Sequence, residues 1–324
     1  MDFFLSSVLS GILWDTIKAS GKVVTGKYIK SEIERQWLDD YTCELIADRV
    51  NSISSRKEDF ETFKEKFIND EEINTILKNK LGYRTEFAKR LNYIIDSINQ
   101  YRYSDEKINI EYIGEFLGFS SVNELKCYYI SDTEPTYLFM DDIAKNIGVN
   151  KDWLKFGKGK PFSSQLHRPS FHRAIDYLKQ IINIQPREVI FVLSDDHYSY
   201  LGIVLGTNEL KYEYFPEYYH FSNDVGGEGQ SQIFSIYNLI KELNTNKLID
   251  NCIVRTVSKE DFEKVFTGAI YTGAVCQGKR LPGYWFYDFL DLYQSKEKKE
   301  MYINSYGEAF VECQNIVKAI KSKL

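Results

Sequence analysis

Apolar positions recur at helical spacing through the first half of the chain and at strand spacing through much of the second. Leu5, Leu9, Ile12 and Leu13, then Ile17, lie three or four apart, which predicts an amphipathic helix. Gly21 and Gly26 punctuate the pattern, and Ile29, Ile33 and Trp37, then Leu45, Ile46 and Val50, resume it. Phe60, Phe63 and Phe67 follow Ser54-Ser55, and a cap at Asn69 or Asp70 starts a last short helix that ends by Gly82. Residues 1–82 thus read as a helical region. The apolar stretch from Phe3 to Trp14 is too short to span a bilayer, and Asp15 and Lys18 follow it at once. Its face is expected to dock on another helix or a second subunit, giving a homo-oligomer and no membrane contact.

The helical period continues over residues 85–162. Phe87-Ala88-Lys89-Arg90-Leu91 with Ile94 and Ile95 predicts a first helix, and Ile110 to Leu117 a second, ended by Gly118. Ser120 or Ser121 caps a third, with Val122, Leu125 and Tyr129 facing inward. Pro135-Thr136 opens a fourth, Leu138 to Ile147, ended by Gly148, and Val149 to Leu154 forms a fifth. Residues 163–185 read as a hinge and a helix running to Ile184.

From Pro186 the period changes. Glu188 to Leu193 and Tyr200 to Leu205 are short apolar runs of the kind found in buried strands, and Leu210 to Phe215 alternates like an edge strand. Gln230 to Leu243 carries Ile233, Ile236, Tyr237 and Ile240 on one side of a helix. Cys252 to Val257 reads as a strand, Ser258-Lys259-Glu260-Asp261 as the capped start of a helix to Phe266, and Ala269 to Val275 as a further strand. Gly283 to Leu292 and Glu308 to Ile320 close the chain as helices. The fold class expected is α+β and multi-domain: a helical region over 1–82, a helix-turn-helix module over 85–162, and an α/β domain over 163–324 with a sheet of four or five strands.

Composition narrows the chemistry. The 24 Tyr and 21 Phe indicate cores packed around large rings. Five scattered cysteines, odd in number and without a CxxC pair, argue against a disulfide framework and a zinc site, and point to reduced thiols in a cytoplasm. The acid at Asp2 stands where a secretion signal would carry positive charge. No metal site, cofactor or catalytic constellation is expected from the spacings, and an enzymatic role is not the leading expectation. The net charge of −6 lacks the basic excess of a dedicated nucleic-acid binder.

Several runs in the middle segment carry a resemblance: Ile113-Gly114-Glu115-Phe116-Leu117-Gly118-Phe119-Ser120, then Glu134-Pro135-Thr136, Ile143-Ala144-Lys145 and Ile147-Gly148-Val149-Asn150. Trp153-Leu154 followed by Gly157-Lys158-Gly159-Lys160-Pro161-Phe162 completes them. Together they resemble the phage-repressor (Cro/XRE) family over about 75 of 324 residues. The resemblance implies a helix-turn-helix whose third helix enters the major groove of double-stranded DNA. Carried onto this chain, it makes Ser120, Ser121, Asn123 and Lys126 the base-reading candidates, with Lys155, Lys158 and Lys160 near the backbone. The third helix is one residue longer than the family spacing. Residues 85–162 hold ten Lys or Arg against twelve Asp or Glu, a net charge of −2. Since cations on phosphate supply most non-specific DNA affinity, this favours the alternative use of the same scaffold, gripping a protein partner.

Two weaker features lie in the last third. A glycine-rich turn, Asn223 to Gln232, precedes a helix. Its Gly227, Gly229, Gln230 and Ser231 could let backbone N–H groups approach an anion, although Asp224 and Glu228 oppose one. Asp195-Asp196-His197 follows a buried strand, at the kind of end where α/β sites gather. The leading expectation is a regulator that binds DNA and senses a ligand or partner through its C-terminal domain. The alternative is a bacterial stress or phage-defence protein whose C-terminal domain is an effector.

Overall fold

A computed structural model describes Arg49, Ser52, Lys66, residues 70–72 and residues 85–324 apart from 122, 123, 126, 129–132, 165, 171, 172, 196–199 and 294. The helices expected over 1–82 lie outside the described residues, save for those few positions. The chain divides into two compact units, Met1–Lys89 with Asn123–Glu134, and Arg90–Val122 with Pro135–Leu324. In the first, the Arg49 guanidinium donates to both Asp70 carboxylate oxygens, Oδ1 at 3.1 Å and Oδ2 at 2.8 Å, and meets Glu72 at 2.9 Å.

The second unit is built on a mixed six-stranded sheet. Its strands are β1 (Glu188–Asp195), β2 (Tyr200–Gly206), β3 (Tyr212–Tyr214), β4 (Tyr219–His220), β5 (Cys252–Ser258) and β6 (Lys279–Arg280). The order is β3-β2-β1-β5-β6, with β4 also pairing β2. Every neighbouring pair is antiparallel except β1 and β5, which run parallel in the register Val189 to Cys252 through Asp195 to Ser258. Parallel neighbours need a long crossover. Here it passes through β2, β3, β4 and the long helix α6 (Gly227–Thr245).

Helices cover both faces, which is why β1 and β2 are continuous apolar runs. On one face Val189, Phe191 and Leu193 of β1 and Leu201, Ile203 and Leu205 of β2 enter a single core. That core includes α5 (Ala174–Ile184), α6, α8 (Trp285–Asp291), α9 (Lys296–Tyr306) and α10 (Glu308–Lys321). Trp285, Phe289 and Phe310 form its aromatic centre, with ring centroids 5.4 Å apart for each pair. On the other face α7 (Lys259–Phe266) lies close enough that the Phe266 ring occupies the space a side chain at position 202 would need.

The helices α1 (Glu86–Asn99), α2 (Ile110–Phe116), α3 (Tyr137–Ile147) and α4 (Lys151–Phe156) precede the sheet. From Arg90 onward, α1 belongs with α2, α3 and α4 to the same compact unit as the sheet. Their seam with the sheet is specific. Phe162 N–H donates to the Gly268 carbonyl at 3.2 Å, and the Phe162 and Tyr271 rings meet edge to face at 5.6 Å. Gly268 has φ +70°, and a Cβ there would sit 2.6 Å from the Ser163 backbone nitrogen, so only glycine lets the two backbones approach.

Two expectations differ from the structure in detail. Residues around Ala269–Val275 do not form a strand; Thr272–Gln277 is a 3₁₀ helix. Ile270, Tyr271, Thr272 and Val275 are strand-favouring residue types, but the 3₁₀ helix packs against β3, β5 and α7 as a compact turn. The sheet has six strands rather than four or five, because β4 and β6 are two residues each, too short to show a period in the sequence.

Candidate functional site

The helical surface begins at α2. Asn109 caps it, its side chain accepting from Tyr112 N–H at 2.8 Å. The helix closes where Phe119 N–H reaches back to the Gly114 carbonyl at 3.0 Å, with Gly118 left-handed at φ +77°. The chain leaves this turn through Ser120 and Ser121, both exposed. Asn123 and Lys126 lie outside the described residues. Thr136 caps α3 and Asn150 caps α4 through their side chains, each worth about 1 kcal/mol. Arg90 Nη1 donates to the Leu154 and Lys155 carbonyls at 3.2 and 2.9 Å, satisfying the end of α4.

Around α4 is an exposed surface of rings and cations. Phe156 and Tyr137 are both exposed, with ring centroids 5.7 Å apart, and Leu138 beside them is 77% exposed. The Lys155 and Lys158 ammonium groups each lie 5.8 Å from the Phe156 centroid. Lys155 is also paired with Asp141 at 2.7 Å, so it is partly neutralised, whereas Lys158 and Lys160 are exposed beyond the helix.

A cleft of about 280 Å³ opens at the carboxyl end of β5. Val257, Val265, Ala274 and Val275 make an apolar floor. Ser258, Asp261, Lys279 and Tyr101 bring polar groups to it. Ser258 is the N-cap of α7, accepting from Asp261 N–H at 3.1 Å, and its hydroxyl donates to the Asp261 carboxylate at 2.8 Å. Tyr101 comes from the connection between α1 and α2, and Gln277 Nε2 donates to its carbonyl at 2.8 Å. Burial, then the negative charge of Asp261, pushes the Tyr101 hydroxyl above its ordinary range, so it remains a neutral donor.

A second cleft, of about 400 Å³, lies beside β4 and the start of α6. Its groups are Arg168, Glu217, Tyr218, His220 and Gln232. Glu217 is buried and ion-paired to the exposed Arg168. Gln232, also buried, accepts from His220 N–H through Oε1 at 3.2 Å.

Of the residues singled out in the last third, none of the described ones lines either cleft. Asp195 is exposed at the end of β1, opposite Ser258 in register, while Asp196 and His197 lie outside the described residues. Gly227, Gln230 and Ser231 are exposed in the first turns of α6. Gly229 is buried because a Cβ there would lie 2.5 Å from that of Val225, which gives this glycine a packing reason. Gly226, at the N-cap, makes no side-chain cap bond and has open space around it. Among the described residues no group of three or more His, Cys, Asp or Glu side chains is placed to hold a metal ion. Cys127, Cys252, Cys276 and Cys313 are free thiols, and burial holds Cys252 up at about 12.

Sequence patterning identifies Ser258 to Asp261 as a helix cap, without joining it to Lys279. Tyr101 and Arg168 carry no signal, because each reaches its cleft from an element distant in sequence, and Gln232, at the end of the glycine-rich turn, lines the second cleft where the glycines do not. The molecule is a mixed α/β protein in which a set of short helices is packed against a six-stranded sheet. No family model, curated protein or solved structure matches the chain. Among the described residues no helix is long and apolar enough to cross a membrane.

Proposed function

We propose that the chain is a DNA-binding regulator in which the segment 85–162 reads a duplex and the sheet that follows senses a ligand or partner. One observation carries this reading: α2 ends in a left-handed Gly118 turn from which Ser120 and Ser121 emerge exposed. In phage-repressor-type domains a tight turn of this kind separates the two helices of the motif, the second of which lies in a major groove. Lys158 and Lys160 are exposed, which supports a role in phosphate contact. The seam at Phe162 and Gly268 gives the sheet a physical route to these helices.

The test is a salt titration of the full chain on labelled duplex from its own upstream region, against a scrambled duplex. Selective binding that weakens with salt is the expected result. Absence of binding to either duplex at 50 mM salt overturns it; that salt is on the order of the low end where such contacts are strongest. In that case the exposed Tyr137, Leu138 and Phe156 favour the second reading, a defence or stress protein that uses this surface to grip a protein.

A further inference from the structure

We propose that the cleft at the carboxyl end of β5 binds a small zwitterion with an aliphatic tail, of the class of the α-amino acids, and that its occupancy sets the position of α2. The binding half stands on the cleft alone. The regulatory half rests on the DNA-binding reading above.

The charges select the class. Asp261 and Lys279 line the same cleft, one acid and one base. A ligand carrying only negative charge meets the Asp261 carboxylate, and one carrying only positive charge meets the Lys279 ammonium. A ligand with both satisfies both. The Asp261 carboxylate and the Tyr101 ring make a site suited to an ammonium group, since carboxylates and aromatic faces both attract cations. Lys279 suits a carboxylate. Val257, Val265, Ala274 and Val275 then offer an aliphatic tail a buried apolar floor. Size narrows the class further. At about 280 Å³ the cleft lies at the small end of ligand pockets, a size that suits an amino acid.

Hydrogen bonds connect the cleft to α2. Tyr101 follows α1 directly, and its N–H donates to the Ile98 carbonyl at 3.1 Å. Asn99, the last residue of α1, donates to the Ile108 carbonyl and accepts from Ile108 N–H, each at 2.8 Å. Asn109, the next residue, caps α2. A ligand that moves Tyr101 therefore acts on the start of α2 within two short links, and α2 ends at the Gly118 turn. Gln277 holds Tyr101 from the 3₁₀ helix on the other side, so the loop has a fixed position to be moved from.

The experiment is a calorimetric titration of the full chain with L-leucine, L-valine and L-methionine. Isoamylamine and 4-methylpentanoate are the controls, each keeping leucine's tail but only one of its charges. At least one amino acid is expected to bind with a Kd of about 1 mM or tighter, and both controls about tenfold more weakly. Asp261→Asn and Lys279→Ala change exposed side chains, so each is expected to fold and to lose about tenfold in amino-acid affinity. No heat from any amino acid at 10 mM, about ten times that Kd, overturns the site; equal affinity for leucine and its controls overturns the class. In parallel, the bound amino acid is expected to change the DNA Kd about fivefold or more in the wild type and not in Lys279→Ala, a coupling at the low end of the allosteric range. Amino-acid binding with an unchanged DNA Kd overturns the regulatory half. Amino-acid binding by a chain that binds no DNA overturns the DNA-binding reading and the regulatory half together, and leaves the site standing.

Discussion

Gly268 is where the helical segment and the sheet meet most closely. Its φ of +70° and the 2.6 Å approach of a Cβ to the Ser163 nitrogen add two penalties in any larger residue. A left-handed conformation costs an L-residue about 1–2 kcal/mol, and forced packing about 1–3 kcal/mol more. Gly268→Ala is expected to destabilise the protein by roughly 2–4 kcal/mol, read as a lower urea midpoint at unchanged slope. A midpoint within error of the wild type would mean that this seam is loose in solution. The position has no special signal in the sequence: Thr267-Gly268 reads as an ordinary helix end. The cap residues are the opposite case. Thr136 and Ser258 each precede a periodic run and each accepts a backbone N–H where the pattern places it, whereas Asn150, read from the pattern as lying inside a helix, is the cap of α4.

At the scale of elements, α9 is the instructive one. Its sequence, Lys296 to Tyr306, has a single buried residue, Tyr302, so it has no apolar stripe to announce it. Polar ties hold it instead. Asp291, at the end of α8, accepts from Lys298 Nζ at 2.7 Å and from the Tyr302 hydroxyl at 2.9 Å, and the Tyr306 hydroxyl donates to Asp288 at 2.6 Å. The Lys298 bond first, and then Tyr302, holds the Asp291 carboxyl below its ordinary range. A carboxyl depressed on folding contributes stability that is complete above its unfolded pKa, about 3.9, and is lost as pH falls through its folded value. The stability difference between wild type and Asp291→Asn is therefore expected to be full at neutral pH and to shrink as pH falls below the ordinary carboxyl pKa of about 3.9. Urea unfolding across that range measures it, and a difference independent of pH would remove the carboxylate from the account. The 3₁₀ helix Thr272–Gln277 is the complementary miss, because strand composition cannot by itself specify an extended backbone when the tertiary surroundings demand a turn.

At the scale of the molecule, charge governs how DNA would be held. The chain carries a net −6, and residues 85–162 hold ten basic against twelve acidic side chains. Few phosphates can be neutralised by such a surface, so the salt dependence of DNA binding is expected to be shallow. Lys158→Ala with Lys160→Ala should reduce the slope of log K against log salt by about 2, roughly one for each phosphate left without its lysine, while leaving sequence preference intact. An unchanged slope would remove this end of α4 from the interface. Lys155 is a poorer choice for the same test, since Asp141 already engages it.

The sequence by itself determined the elements that advertise themselves locally. These are the helices α1 to α4 with the Thr136 cap and their glycine ends, the buried strands β1, β2 and β5, and the amphipathic helix α6. Each rests on a period of 2 or 3.6 residues or on a capping side chain, and those depend on neighbours a few positions apart. Only the tertiary structure decided that β1 and β5 lie side by side and parallel, and that Arg90–Val122 and Pro135–Phe162 share one compact unit with the sheet. It alone brought Tyr101, Asp261 and Lys279 to one cleft, and Arg168, Glu217 and Gln232 to another. The physical reason is separation along the chain: local patterning sets backbone conformation, whereas a cleft is made by side chains many tens of residues apart, positioned by the packing of the elements that carry them.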